Sequence, residues 1–202
     1  MKDTRQLTAK LLLFCGTAST LLFWLNTIIS ARVHGHYDHI SGTISELGAI
    51  GTRSQHLFFL LLLLTALLGI LFSAGLFLTA RKMNCSIIPV IPVLIFFLAN
   101  ICVAFFPLGN PLHPVAGQFT EVVMLGPLLS MVFWRDKIFF SIRCLSLAAL
   151  LIFITALLLL LAGWLPDAYL QTHEGLIQRI FHAGWSFWFI SLSIFFSKQA
   201  NQ

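Results

Sequence analysis

The side chains of this sequence with chemistry to offer are its histidines and a few acids. His34, His36, His39, His56, His113, His173 and His182 are joined by Asp38, Glu46, Glu121, Asp167 and Glu174, five of the seven acids. All of them fall at the same alternate ends of a series of apolar runs, so any site they form lies on one face. Glu121 sits about seven residues inside its run, roughly 10 Å deep at about 1.5 Å of rise per residue. Asn100 lies at a similar depth and His182 about a turn inside its own run, with Asn26 and Thr27 approaching the same level. Ionisable groups inside a span usually face the bundle interior or a wet cavity. Glu121, His113 and His182 are therefore the candidates for acid/base work, with His113 and His182 the candidate metal ligands.

Spacing extends the pattern. His113, Gly117 and Glu121 recur at i, i+4 and i+8, as do Glu174, Gln178 and His182, which puts each set along one helix face. Arg179 is placed to pair with Glu121 or Glu46, or to receive an anionic headgroup as a bidentate donor. Each residue also has a plainer reading. A Glu121–Arg179 pair can simply join helices, His113 can cap a helix ahead of Pro114, and His182 can be a hydrogen-bonded packing residue. Asn100 reads first as interhelical glue.

The loop between the first two runs carries two further motifs. His34-Gly35-His36-Tyr37-Asp38-His39 has the donor types of a zinc or copper site, but without a scaffold a solvated polar loop is the better reading. Thr43 and Glu46 then have capping-box spacing, which predicts a short helix. Ser45 between them would be a nucleophile only if His113 or His182 approached it as base.

These residues must be positioned by helices in a bilayer. Apolar residues make up 58% of the chain and charged residues 9%, and the mean hydropathy is +0.93. A soluble fold of this size cannot hide that much apolar surface. In lipid, backbone groups must be satisfied internally, leaving helices or a closed barrel. The runs are long and do not alternate as barrel strands do. Spans of about 20 residues are expected at Leu11–Ser30, Leu57–Ala80, Ile87–Phe106, Val115–Trp134, Cys144–Trp164 and Gln178–Ser197, in one domain over residues 1–202. The fold class is all-α, a six-helix transmembrane bundle. Pro89 and Pro92 are expected to tilt or kink the third span, Pro127 to kink the fourth, and Pro114 to start it. The first span reads as a retained signal anchor. The longer connections, 31–56 and 165–177, are expected to be outer loops. Several of Trp24, Trp134, Trp164, Trp185 and Trp188 fit an aromatic belt.

Orientation follows from the basic residues. Lys2, Arg5, Lys10, Arg81, Lys82, Arg135, Lys137, Arg143 and Lys198 fall on one side, against Arg32, Arg53 and Arg179 on the other. The richer side is expected in the cytoplasm, with both termini, and the protein in the cell's inner membrane. The net charge of +5 is thereby accounted for at span ends, so nucleic acid is not an expected partner and membrane lipids are. Cys15, Cys85, Cys102 and Cys144 all avoid the outer loops, which argues against an outer disulfide framework.

Three segments carry a resemblance: Ile44–Gly48 (ISELG) before the second span, Phe106–Pro107 with His113 after the third, and Glu174–Ile180 (EGLIQRI) entering the sixth. In order and spacing the chain resembles the six-span bacterial and archaeal proteins of domain-of-unknown-function family 998. The resemblance implies a six-helix membrane fold and a shared pattern that includes Ser45, Glu46, His113, Gln178 and Arg179; it implies no activity. The His34–His39 run is outside that pattern.

The functional expectation is a polar pocket at the outer face that binds or processes a lipid-like ligand, with Arg179, Glu46, Ser45, Gln178 and Asn100 as binding residues. Alternatives are a non-catalytic lipid-binding, sensing or transport module, and a metal-dependent membrane hydrolase. Alkaline ceramidase-like hydrolases are the comparison for the last, and their closing His-x-x-x-His motif is absent here. The sequence names no cofactor.

Overall fold

The computed structural model describes residues 2–161 and 166–200, and these are helical throughout apart from turns and loops. Six helical segments are long and apolar enough to cross a membrane: Gln6–His34, Gln55–Lys82, Ile88–Phe105, His113–Phe133, Lys137–Leu160 and Tyr169–Gln199. They are formed by α1 (Lys2–His34), α2 (Gln55–Lys82), α3 (Ile91–Phe105), α4 (His113–Thr120) with α5 (Leu125–Phe133), α6 (Phe140–Leu160) and α7 (Asp167–Gln199). Trp164, expected to end the fifth span, lies outside the described residues.

The helices form a closed ring in chain order. Each packs on its successor, α4 and α5 act as one span, and α7 returns to α1. Both ends of the chain therefore share one face, and the opposite face, the loop face, carries the connections after α1, α3 and α6. Leucines such as Leu21, Leu60 and Leu158 point outward, each about 60% exposed, at 62%, 60% and 62%. An apolar exterior of this kind needs lipid rather than water.

The interior is aromatic. Trp185, wholly buried, has ring centroids of Phe23, Phe96 and Phe189 at 4.9, 5.0 and 5.3 Å. Trp134, Trp185 and Trp188 are all buried in this core. Each indole N–H needs an acceptor and finds one in the protein: Trp188 donates to Ser146 Oγ, Trp134 to Ser86 O and Trp185 to His182 Nδ1.

Polar side chains stitch the helices where water is absent. Ser19 donates to Thr65 O, and Asn26 to Phe58 O, joining α1 to α2. Ser193 donates to Leu13 O, and Trp24 to Ser186 Oγ, closing α7 on α1. Gly75 permits the close α1–α2 approach, since a Cβ there would stand 2.9 Å from the Leu13 nitrogen.

Pro89 and Pro92 lie in the opening turns of the third span, a 3-10 turn at Ile88–Val90 and the start of α3, where a missing N–H is harmless. Pro127 does break the fourth span, since it cannot donate to the carbonyl one turn back. The break is a 3-10 segment, Glu121–Met124, between α4 and α5. The stretch expected as a loop over 165–177 is helical from Asp167, and its polar residues extend α7 beyond the apolar span.

Candidate functional site

The loop between α1 and α2 folds back over the bundle and is held there. Its capping-box residues produce a 3-10 turn, Ile44–Gly48. Glu46 Oε1 accepts from the Thr43 amide and hydroxyl, both at 3.1 Å. Ile44 and Leu47 are buried beneath the turn. The buried Ser54 hydroxyl donates to Leu47 O at 2.6 Å. The Ile50 amide donates to Leu108 O at 3.0 Å, tying this loop to the tip that follows α3.

α7 supplies the clamp. Gln178 Oε1 accepts the Ile44 amide at 2.6 Å. Arg179 donates through Nη1 to Gly42 O (2.9 Å) and Gly175 O (2.8 Å), and through Nη2 to the Tyr37 hydroxyl (2.7 Å) and His39 Nδ1 (3.1 Å). Its guanidinium also lies 5.6 Å from the centre of the Tyr37 ring. The Gly175 and Leu176 amides donate to Ser41 O and Ile40 O. Gly175 is needed here, because a Cβ would collide with the Gly42 carbonyl. Arg179 thus serves loop carbonyls, not Glu121 or Glu46 as expected, because the folded loop brings unpaired acceptors closer than either carboxylate.

The clamp has a pH sign. Arg179 can donate to His39 Nδ1 only while that nitrogen keeps its lone pair. Loss of solvent around the ring, then the Arg179 charge, lower the His39 pKa from its ordinary 6.5, against a raising effect of Asp38. Hydrogen bonds from Ser41 and the Ile40 and Ser41 amides hold the Asp38 carboxyl below its usual range. Burial pushes the Tyr37 phenol up, against the lowering effect of Arg179. A histidine depressed in the folded state contributes stability that is present above pH 6.5 and lost as pH falls toward its folded pKa. Hydrogen exchange at residues 37–44 is therefore expected to quicken relative to its intrinsic rate as pH falls below 6.5, and that step should vanish in His39→Gln.

Beneath the clamped turn lies a cleft of about 240 Å³. Ser45, Gly48, Gln55 and His56 line one side, Pro107, Leu108 and His113 the other, and Phe58, Phe59, Val103, Ala104 and Phe105 form apolar walls. His113 is only 9% exposed, and its Nδ1 is 2.7 Å from Phe106 O. A carbonyl only accepts, so Nδ1 carries the proton and Nε2 keeps its lone pair. The cleft joins a fixed imidazole and a serine hydroxyl to greasy walls.

The remaining expected residues lie elsewhere. Glu121 is exposed at the break in the fourth span and makes no hydrogen bond or ion pair among the described residues, so the expected face shared with His113 is not formed. Asn100 is buried, but its amide donates to Phe96 O of its own helix. His182 Nδ1 accepts from the Trp185 indole at 2.7 Å and its ring packs on Phe23. His113 and His182 thus make separate contacts. Among the described residues no group of three His, Cys, Asp or Glu side chains gathers as a metal site. Two contributors were not singled out in sequence. Tyr37 carries no motif beyond being one of only two tyrosines, placed in a polar loop. His56 was one of many outer histidines.

Residues 17–194 match the model of a family described as "Protein of unknown function (DUF998)". No curated protein and no solved structure matches the chain.

Proposed function

Because the chain belongs to the DUF998 family, a family without an assigned activity, its role has to be read from its own cleft, and we propose that it binds the polar end of a lipid-like, amphipathic ligand there. The carrying observation is the union of Ser45, His56 and His113 with walls of Phe58, Phe59 and Phe105 in one cleft. Ligand sites combine mostly apolar linings with a few placed polar groups in this way. A volume of about 240 Å³ falls below the roughly 300–1,000 Å³ of drug-sized pockets, which favours a headgroup or a chain end over a whole lipid. Phe105, 58% exposed, leaves an apolar rim along which a tail can continue. In this reading the loop face is the outer face of the inner membrane, with both termini in the cytoplasm, as the lysine and arginine asymmetry favours.

The test is native mass spectrometry of protein extracted in mild detergent. The wild type is expected to carry a stoichiometric lipid-like adduct. Ala104→Phe fills the cleft from a wall position and should abolish the adduct while the helical signal remains. An adduct that survives Ala104→Phe would place the ligand elsewhere.

A further inference from the structure

We infer that the cleft is an acyl-transfer site in which Ser45 Oγ is the nucleophile, His113 Nε2 the base, and the substrate a carboxylic ester of a lipid. This deepens the proposed function and rests on ligand occupancy of the same cleft.

Four observations converge. Ser45 and His113 come from different elements, over sixty residues apart in sequence, yet line one cleft. The Phe106 carbonyl fixes the tautomer of His113, as an orienting acceptor must if the imidazole is to take a proton at its other nitrogen. Ser45 sits on a turn clamped through Ile44 by Gln178 and through Leu47 by Ser54, so its position is set by rigid helices rather than by a free loop. Other serines near this face or in the core have committed hydroxyls: Ser30 to Asn26, Ser54 to Leu47, Ser186 to His182. The Ser45 hydroxyl makes no hydrogen bond among the described residues.

The chemistry balances with water as co-reactant. Ser45 Oγ attacks the ester carbonyl carbon while its proton passes to His113 Nε2. His56, on the same wall, supplies an N–H toward the carbonyl oxygen as it gains charge. The carbon–oxygen bond to the alcohol then breaks, and the proton on Nε2 goes to the departing alkoxide. Water attacks the acyl-Ser45 ester, again giving its proton to Nε2. The acid leaves, and the proton returns to Ser45 Oγ. The net change is ester and water to acid and alcohol.

A fluorophosphonate probe tests the assignment on the full chain in detergent, with labelled peptides mapped by mass spectrometry. The wild type should label at Ser45, and Ser45→Ala should not label. His113→Gln should slow labelling by about 100-fold or more, the usual scale for a lost general base. Ser45→Ala should keep the helical signal and thermal unfolding of the wild type, which shows that the variant is folded. A wild type that holds the adduct but never labels overturns the acyl-transfer assignment and leaves the binding reading standing. Labelling that persists in Ser45→Ala, or a rate unchanged in His113→Gln, also overturns it. Absence of both label and adduct overturns both readings.

Discussion

Arg179→Ala is expected to detach the first outer loop from α7 and lower stability by about 3 kcal/mol. Hydrogen bonds to a charged donor contribute about 1.5–3 kcal/mol each. Arg179 makes four, to Gly42, Gly175, Tyr37 and His39. They share one half-exposed side chain and do not add, so the total stays near the value of one or two. Some of the freed acceptors will recover water, while Gly42, buried under the loop, will not. Arg179→Lys should recover less than half, because an ammonium cannot span the four acceptors as a planar fork does. Thermal unfolding in detergent reads the loss, and hydrogen exchange should show it concentrated at residues 37–48. Unchanged exchange there would mean that the Gln178–Ile44 bond and the backbone contacts suffice to hold the turn. Because the loop carries Ser45, the same variant should also release the cleft ligand.

The second large effect is at the centre of the bundle. Trp185→Ala removes a wholly buried indole from among Phe23, Phe96 and Phe189, and is expected to cost about 3–5 kcal/mol from lost packing and the cavity left behind. Trp185→Phe separates the two parts of that loss. It keeps most of the apolar volume but strips His182 Nδ1 of its donor, an expected penalty of about 1–3 kcal/mol for a buried acceptor left unpaired. Thermal unfolding of both variants checks the pair of values. If His182 is a packing residue, as its indole partner implies, Trp185→Phe should leave ligand occupancy of the cleft intact. Loss of ligand in that variant would tie His182 to the site after all.

What the sequence makes legible, and what it hides, follows the range of the forces involved. The six spans are readable because transfer to lipid is decided by local composition, and the expected boundaries fall within the observed helices for the first, second and sixth spans, run one residue past them at the third and fourth, and leave the described residues at the end of the fifth. The 3-10 turn at Ile44–Gly48 is readable for the same reason, since Thr43 and Glu46 satisfy each other within three residues. The partners of Arg179 are not readable. Three of the four lie about 140 residues away in the chain, and two of the four are carbonyls that any residue could supply. The α7 extension over 167–177 looked like a loop because Gln171, Thr172, His173 and Glu174 break the apolar run. Its helix is stable because Gly175, Leu176, Gln178 and Arg179 dock the first loop. Glu121 illustrates a weaker inference. Eight residues of α-helix turn about 80° away from the starting face at roughly 100° per residue, and the 3-10 segment beginning at Glu121 turns the chain further. His113 can therefore face the interior while Glu121 faces out. The pairing of Ser45 with His113 was legible only as a possibility, since both lie at the same end of their spans, the second and the fourth. Only the docked turn puts them in one cleft.

The ring closure of α7 on α1 has a consequence for how the protein is made. The bonds that close it, Ser193 to Leu13 and Trp24 to Ser186, join α1 to a span made after the five others of the ring. Gln178 and Arg179, which seat the loop between α1 and α2, are likewise made after the loop they hold. The early hairpins must then wait in the bilayer with an open seam and an undocked loop until α7 inserts. Closure of the ring is thus gated by the synthesis of α7. A chain arrested before α7 keeps its seam-facing serines and its outer loop without partners, marks that membrane quality-control proteases can read.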